Sequence, residues 1–319
     1  EPQMNANNLR TKGYELVLGW RDSFKLAGST FSYGITGTFS DYTAEYTKCD
    51  NPTGLIGDPY VGKKYGEIWG YKVDGLFRND KEAAEYASRI DLSTVASGYY
   101  TATGAYGKGV RGGDIKYLDL NGDNIVNGGK GTLDDPGDRR VIGNSSPRYQ
   151  YGASLNFSWY GFDVSVFMQG IGRLDWYPGA DNLRFWGPYC RPYATFVPKN
   201  FMSQVWSEEN PDAYFPRARA YTSLNSNSGT AYYTNDRYLQ NLAYCRLKNL
   251  TIGYTIPRRL TSKVGIKECR IYFSGENLAT WSALKSDFLD PEQAAADSDK
   301  KANVYPWCKT YSIGLNLTF

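Results

Sequence analysis

RYQYGASLNFSWYGFDVSVFMQG, residues 148–170, changes side-chain character one residue at a time. Tyr149, Tyr151, Ala153, Leu155, Phe157 and Trp159 fall in one series, and Gln150, Gly152, Ser154, Asn156 and Ser158 in the other. Gly161 turns the chain, after which Phe162, Val164, Val166 and Met168 resume the apolar series. Successive side chains of a strand point to opposite faces. The stretch therefore predicts a hairpin with one greasy face and one wettable face.

The same period recurs on both sides of it. Tyr14, Leu16, Leu18 and Trp20 oppose Glu15, Val17, Gly19 and Arg21; Phe31, Tyr33, Ile35 and Phe39 oppose Ser32, Gly34, Thr36, Thr38 and Ser40. Leu250, Ile252 and Tyr254 alternate with polar residues, as do Tyr311, Ile313, Leu315, Leu317 and Phe319 at the end of the chain. A soluble sandwich has this period too, so length must decide. Strands are predicted near 13–22, 30–45, 148–160, 162–173, 238–256, 267–281 and 305–319. All reach the roughly 9–11 residues that a tilted strand needs to cross a bilayer, against about 5–6 in soluble folds. Their connections alternate between short (22–30, 159–161 and 257–267) and long (46–147, 174–237 and 282–304). Short turns at one end and long loops at the other mark an outer-membrane barrel. The fold class expected is all-β, a transmembrane antiparallel β-barrel, and the three long links are expected to be extracellular.

Composition agrees. Aromatic residues make up 16% of the 319 residues, with 28 tyrosines, 8 tryptophans and 34 glycines, which suits many half-apolar strands. No run approaches the roughly 18 apolar residues of a membrane-spanning helix. Net charge is +3, from 36 basic against 33 acidic residues, without a dense basic run, which argues against nucleic acid as a partner. The chain has no histidine. That removes Ser-His-Asp and Cys-His catalysis, histidine-ligated zinc and the commonest general base, and the expectation is that it is no enzyme. Of five cysteines, Cys245, Cys269 and Cys308 fall on predicted strands as small apolar packers, while Cys49 and Cys190 are a candidate pair if the loops bring them together. The chain opens at Glu1 almost directly on a strand.

Several stretches go beyond general barrel character. RYLQNLAYCRLKNLTIGYTIPRRL (237–260), RIYFSGENLATW (270–281), DPE (290–292) and YPWCKTYSIGLNLTF (305–319) resemble, in order and spacing, the closing segments of the SusC/RagA family of TonB-dependent outer-membrane transporters. GDIKYLDLNGDNIVN (113–127) and 138–170 do so as well. The resemblance runs from residue 9 to the end. It implies the C-terminal strands of a barrel of about 22 strands around a plug, with the plug, its TonB box and the earlier strands supplied from elsewhere in the same protein. It also implies import of oligosaccharides or peptides driven by TonB, a SusD-like surface lipoprotein as lid, and Phe319 as the barrel insertion signal. A passive porin or an adhesin barrel is the alternative, separated from an energised importer by the presence of a plug upstream.

Three sets of residues are candidate sites. Asp119, Asn121 and Asp123 take the first, third and fifth positions of a calcium loop, making Ca2+ a candidate ligand. Asn124 stands where glycine is usual and Lys130 where the bidentate glutamate belongs, and an Asx-turn hairpin explains the same residues without metal. LDWYPGADNLRFWGPYCRPY (174–193) offers Trp176, Tyr177, Trp186 and Tyr189 with Arg184 and Arg191 as a platform for sugar rings or peptide side chains; a self-packed loop or a contact with the lid is the alternative. Glu15, Arg21, Arg148 and Asp163 are expected to wet the lumen. The adjacent carboxylates Glu208–Glu209 and Asp134–Asp135 read as solvated surface, since a glycosidase needs two carboxyls facing each other across a bond.

Overall fold

The computed structural model describes residues 7–101, 109–190, 197, 199–219, 231–286, 289–296 and 305–319. Seven long strands carry the fold: β1 (Asn8–Leu26), β2 (Ser29–Lys48), β3 (Arg148–Trp159), β4 (Phe162–Arg173), β5 (Tyr244–Thr255), β6 (Glu268–Ser282) and β7 (Thr310–Thr318). They pair antiparallel in chain order, each with its sequence neighbour, in a single sheet. The turns β1–β2 and β3–β4 have two residues each. Ala27 and Gly28 have φ of 46° and 84°, Tyr160 and Gly161 50° and 82°. Two positive φ values in succession give the backbone twist that suits tight hairpins. The β5–β6 link is a short turn of helix (Arg258–Thr261) closed by Gly265 at φ 78°. The other connections are long, as the sequence pattern requires.

Register turns seven alternating sequences into two continuous faces. Residues directly opposite in adjacent strands share a face. One row runs Trp20, Ile35, Leu155, Val166, Leu250, and the next Tyr33, Phe157, Val164, Ile252, Phe273, Ile313. On the other side run Arg21, Gly34, Asn156, Ser165, Thr251, Ser274 and Ser312. Glycine has a packing purpose on this polar face: the ring of Tyr272 lies over Gly314, where a Cβ would collide with it.

The apolar face is left bare. Trp20 is 62% exposed, Leu155 39% and Leu315 58%. Among the described residues the strands supply only Ala44, Tyr244 and Cys269 to the buried apolar set; the rest comes from the long links. An apolar surface of this extent facing water is untenable for a sheet, whereas hydrocarbon solvates it. The sheet is thus a section of barrel wall, with its polar face toward the lumen. Replacing Leu155 by arginine, near the middle of the apolar band, is expected to cost about 2–4 kcal/mol. Asn156→Arg, one residue on and facing the lumen, is expected to stay within about 0.5 kcal/mol. Urea titration of the receptor folded into lipid vesicles measures both.

The strand ends differ from the sequence pattern in places. β1 and β2 extend further, to Asn8 and Lys48. The strand predicted from 238 begins at Tyr244, because Tyr238 and Leu242 are drawn into the core of the long links and Gln240–Asn241 pair with Asp175–Trp176 in a ladder of their own. The strand predicted from 305 begins at Thr310, which leaves Cys308 outside it. The candidate Cys49–Cys190 pair is not formed.

Candidate functional site

The long links fold into a cap with its own interior. Phe77, Leu92, Val95, Tyr99, Ile115 and Tyr117 come from the first, Trp176, Tyr177, Trp186, Phe215 and Tyr238 from the second, and Leu289 and Ala294 from the third. Aromatic contacts dominate: Phe185 meets Trp186 edge-on at 4.8 Å, and Trp186 meets Tyr238 at 5.0 Å. Several polar side chains carried inside are paired. Asn235 donates to the Tyr177 hydroxyl (3.1 Å) and accepts from the Tyr238 amide (3.2 Å). Arg219 binds Asp114 at 2.6 Å with both side chains buried, its guanidinium 4.1 Å from the centre of the Tyr99 ring. Burial pushes the Asp114 carboxyl up to about 6, against the opposing pull of Arg219. Burial likewise raises Tyr117 and Tyr177 well above the ordinary phenol range.

This interior corrects the aromatic platform expected at 174–193. Trp176, Tyr177, Trp186 and Tyr189 are all buried, at most 6% exposed, in one cluster with Phe215 and Tyr238, and the rings of Trp186 and Tyr189 both lie against Phe215. They hold the cap together and offer no face to a ligand. Arg184 is exposed and borders a cavity of about 540 Å3 with Arg246, Thr280, Leu284 and Asp290. Arg191 lies outside the described residues.

In the loop at 119–127, Asp119 accepts from the amides of Gly122 (2.7 Å) and Asn124 (2.9 Å), Asn121 from Asp123 (3.0 Å), and Asp123 from Ile125 (2.8 Å). Asn124 takes the left-handed conformation, φ 66°. The oxygens thus serve as Asx-turn acceptors, and among the described residues no three Cys, Asp or Glu side chains gather as a metal-binding group. Phe319 is exposed, and its terminal carbonyl accepts from Lys267 at 2.7 Å. Of the expected lumen residues, Asp163 pairs with Arg270 at 2.5 Å and Arg21 lies over Gly34. Arg148 pairs instead with the buried Asp41 at the loop end of the strands.

A charged cluster escaped the sequence reading. Arg246 on β5, 2% exposed, binds Asp290 and Glu292 of the third link at 2.7 Å each, and donates to Thr280 at 2.9 Å. Lys248, one step further on the same face, binds Glu292 at 2.8 Å. The third link is thereby clamped onto the polar face of the wall. Two basic residues on an otherwise uncharged strand face, with DPE downstream, were the available signal.

No protein-family profile matches the chain. It is 26% identical over its whole length to TonB-dependent receptor P26 of Formosa agariphila and 24% identical over 99% of its length to TonB-dependent receptor P3 of the same organism. It spans only 28% and 29% of those proteins. The RagAB peptide transporter shares the fold, with a TM-score of 0.61 at 18% identity over 99% of this chain and 30% of that one. The RagAB peptide importer in its open-open state gives 0.59 over 98% and 29%. The chain is thus similar along its full length to named TonB-dependent receptors, and its seven-stranded wall with a bare apolar face shares the fold of RagAB.

Proposed function

We propose that the receptor containing this chain imports large nutrients, oligosaccharides or peptides, across the outer membrane by a TonB-dependent route, with a SusD-like lipoprotein as lid. The observation that carries this reading is the full-chain similarity to receptors named for TonB dependence. RagAB, which shares the fold, is a peptide transporter, and this puts peptides among the cargoes to be tried. The chain's own part is passive: wall, cap and selectivity surface, without a catalysed step. The ligand meets the exposed surface of the cap and the cavity beside Arg184 and Asp290. Uptake of labelled oligosaccharides and peptides by cells with and without TonB tests the proposal. Uptake that needs the receptor and survives loss of TonB defeats it in favour of a passive pore. A surface lipoprotein that co-purifies with the receptor supports the lid.

In this reading the long links face the exterior and the short turns face the periplasm. A cysteine placed at Met202, exposed on the second link, is expected to react with a membrane-impermeant maleimide on whole cells. One placed at Lys263, in the β5–β6 turn, is expected to react only after lysis. The reverse pattern overturns the orientation.

A further inference from the structure

Beyond its aromatic edge, the apolar face of the wall turns cationic. Alternation carries the series Trp20, Leu18, Leu16, Tyr14 on to Lys12 and Arg10, with no break of register before Leu9. At about 3.4 Å per residue, Lys12 stands roughly 7 Å beyond Tyr14 along the strand and Arg10 roughly 14 Å. Tyr14, Phe39 and Tyr149 stack side by side at this level, centroids 6.0 and 6.5 Å apart. A row of aromatic rings of this kind marks the depth where hydrocarbon gives way to headgroups. Next to Tyr149 opens a groove of about 380 Å3 lined by Thr43, Lys64, Arg148 and Arg173. Thr43 is the direct cross-strand partner of Lys12.

The cations stand outward, and two of the four carboxylates lie behind them. The side chains of Arg10, Lys64 and Arg173 are about half exposed or more, whereas those of Asp41 and Asp175 are buried. Asp41 is held by Arg148, Asp175 by Arg173, and Glu45 by both Arg10 and Lys64. Glu67, also on the groove, accepts from the Tyr60 hydroxyl and the Lys64 amide. Lys12 has no ion pair among the described residues. We propose that this rim binds the phosphate headgroup of a phosphorylated glycolipid in the surface leaflet. Lys12 and Lys64 meet the phosphate, and the acyl chains lie on Leu16, Leu18 and Trp20 below. Ammonium and guanidinium groups suit phosphate oxygens, and the groove is continuous with the hydrocarbon-facing stripe. A free anion would use only its upper half.

The inference rests on the orientation proposed above, which the maleimide labelling tests separately. The intact receptor in non-ionic detergent is titrated with bisphosphorylated lipid A and with its dephosphorylated form, followed by native mass spectrometry. The double variant Lys12→Gln, Lys64→Gln alters two exposed side chains, and heat-modifiable gel migration verifies its folded barrel. It is expected to bind bisphosphorylated lipid A about thirtyfold more weakly, roughly fivefold per lysine. Dephosphorylated lipid A is expected to bind the unaltered receptor comparably weakly, and millimolar inorganic phosphate is expected to displace little lipid. Equal binding by the variant, or by the dephosphorylated lipid, overturns the proposal. Full displacement by inorganic phosphate replaces the lipid by a free anion and overturns it as well.

Discussion

Arg246→Met is expected to release the third link from the wall at a cost of about 3–5 kcal/mol, the range for removing one partner of a buried ion pair. The guanidinium forks between Asp290 and Glu292 while its Nε donates to Thr280. Methionine fills similar space and supplies none of these contacts. Lys248 still engages Glu292, but Asp290, whose side chain is only 9% exposed, is left without its cation. Arg246→Lys keeps the charge and loses the planar fork, and is expected to fall between the two. Hydrogen exchange on the intact receptor reads the effect: faster exchange across 289–296, with the strand amides of β5 and β6 still protected. The double variant Arg246→Met, Asp290→Asn removes the uncompensated charge while keeping the Lys248–Glu292 pair, and is expected to recover much of the loss. Protection at 289–296 unchanged in Arg246→Met would show that the cluster does not hold the link.

Trp186→Ala is expected to destabilise the cap by about 3–5 kcal/mol, the cost of emptying a buried indole site. The ring is fully buried against Phe185, Phe215 and Tyr238, and its N–H donates to the Gly179 carbonyl at 3.1 Å. Alanine opens a cavity and also strands that carbonyl. Because the wall draws its stability from lipid contact and strand pairing, the barrel is expected to remain folded by heat-modifiable gel migration while the links become sensitive to protease. Loss of the barrel together with the cap would refute this separation. Trp186→Phe, which keeps most of the apolar volume, is expected to retain a folded cap.

The wall was legible in the sequence because two-residue alternation survives translation into structure wherever one face must be greasy. All seven strands were found from it. Their ends were less legible. β1 runs past its apolar series into Lys12 and Arg10, and charged residues there look like a loop until pairing is seen. Tyr238 and Leu242 continue the pattern of β5 yet serve the cap, and only the folded chain separates these two uses of an apolar residue. The same ambiguity governs 174–193. Aromatic rings with nearby guanidiniums describe a ligand platform and a self-packed core equally well in one dimension, and burial decides between them. Arg246 and Glu292 lie 46 residues apart on a strand and a link, so no spacing rule joins them.

Leu289 and Ala294 from the third link share one interior with Phe77 from the first and Trp186 from the second. Three hairpins spaced along the wall are therefore yoked together at one end of the sheet. No single strap can be nudged aside by itself, because each strap carries part of the others' foundation. Any displacement of one must tilt the whole lintel as one piece.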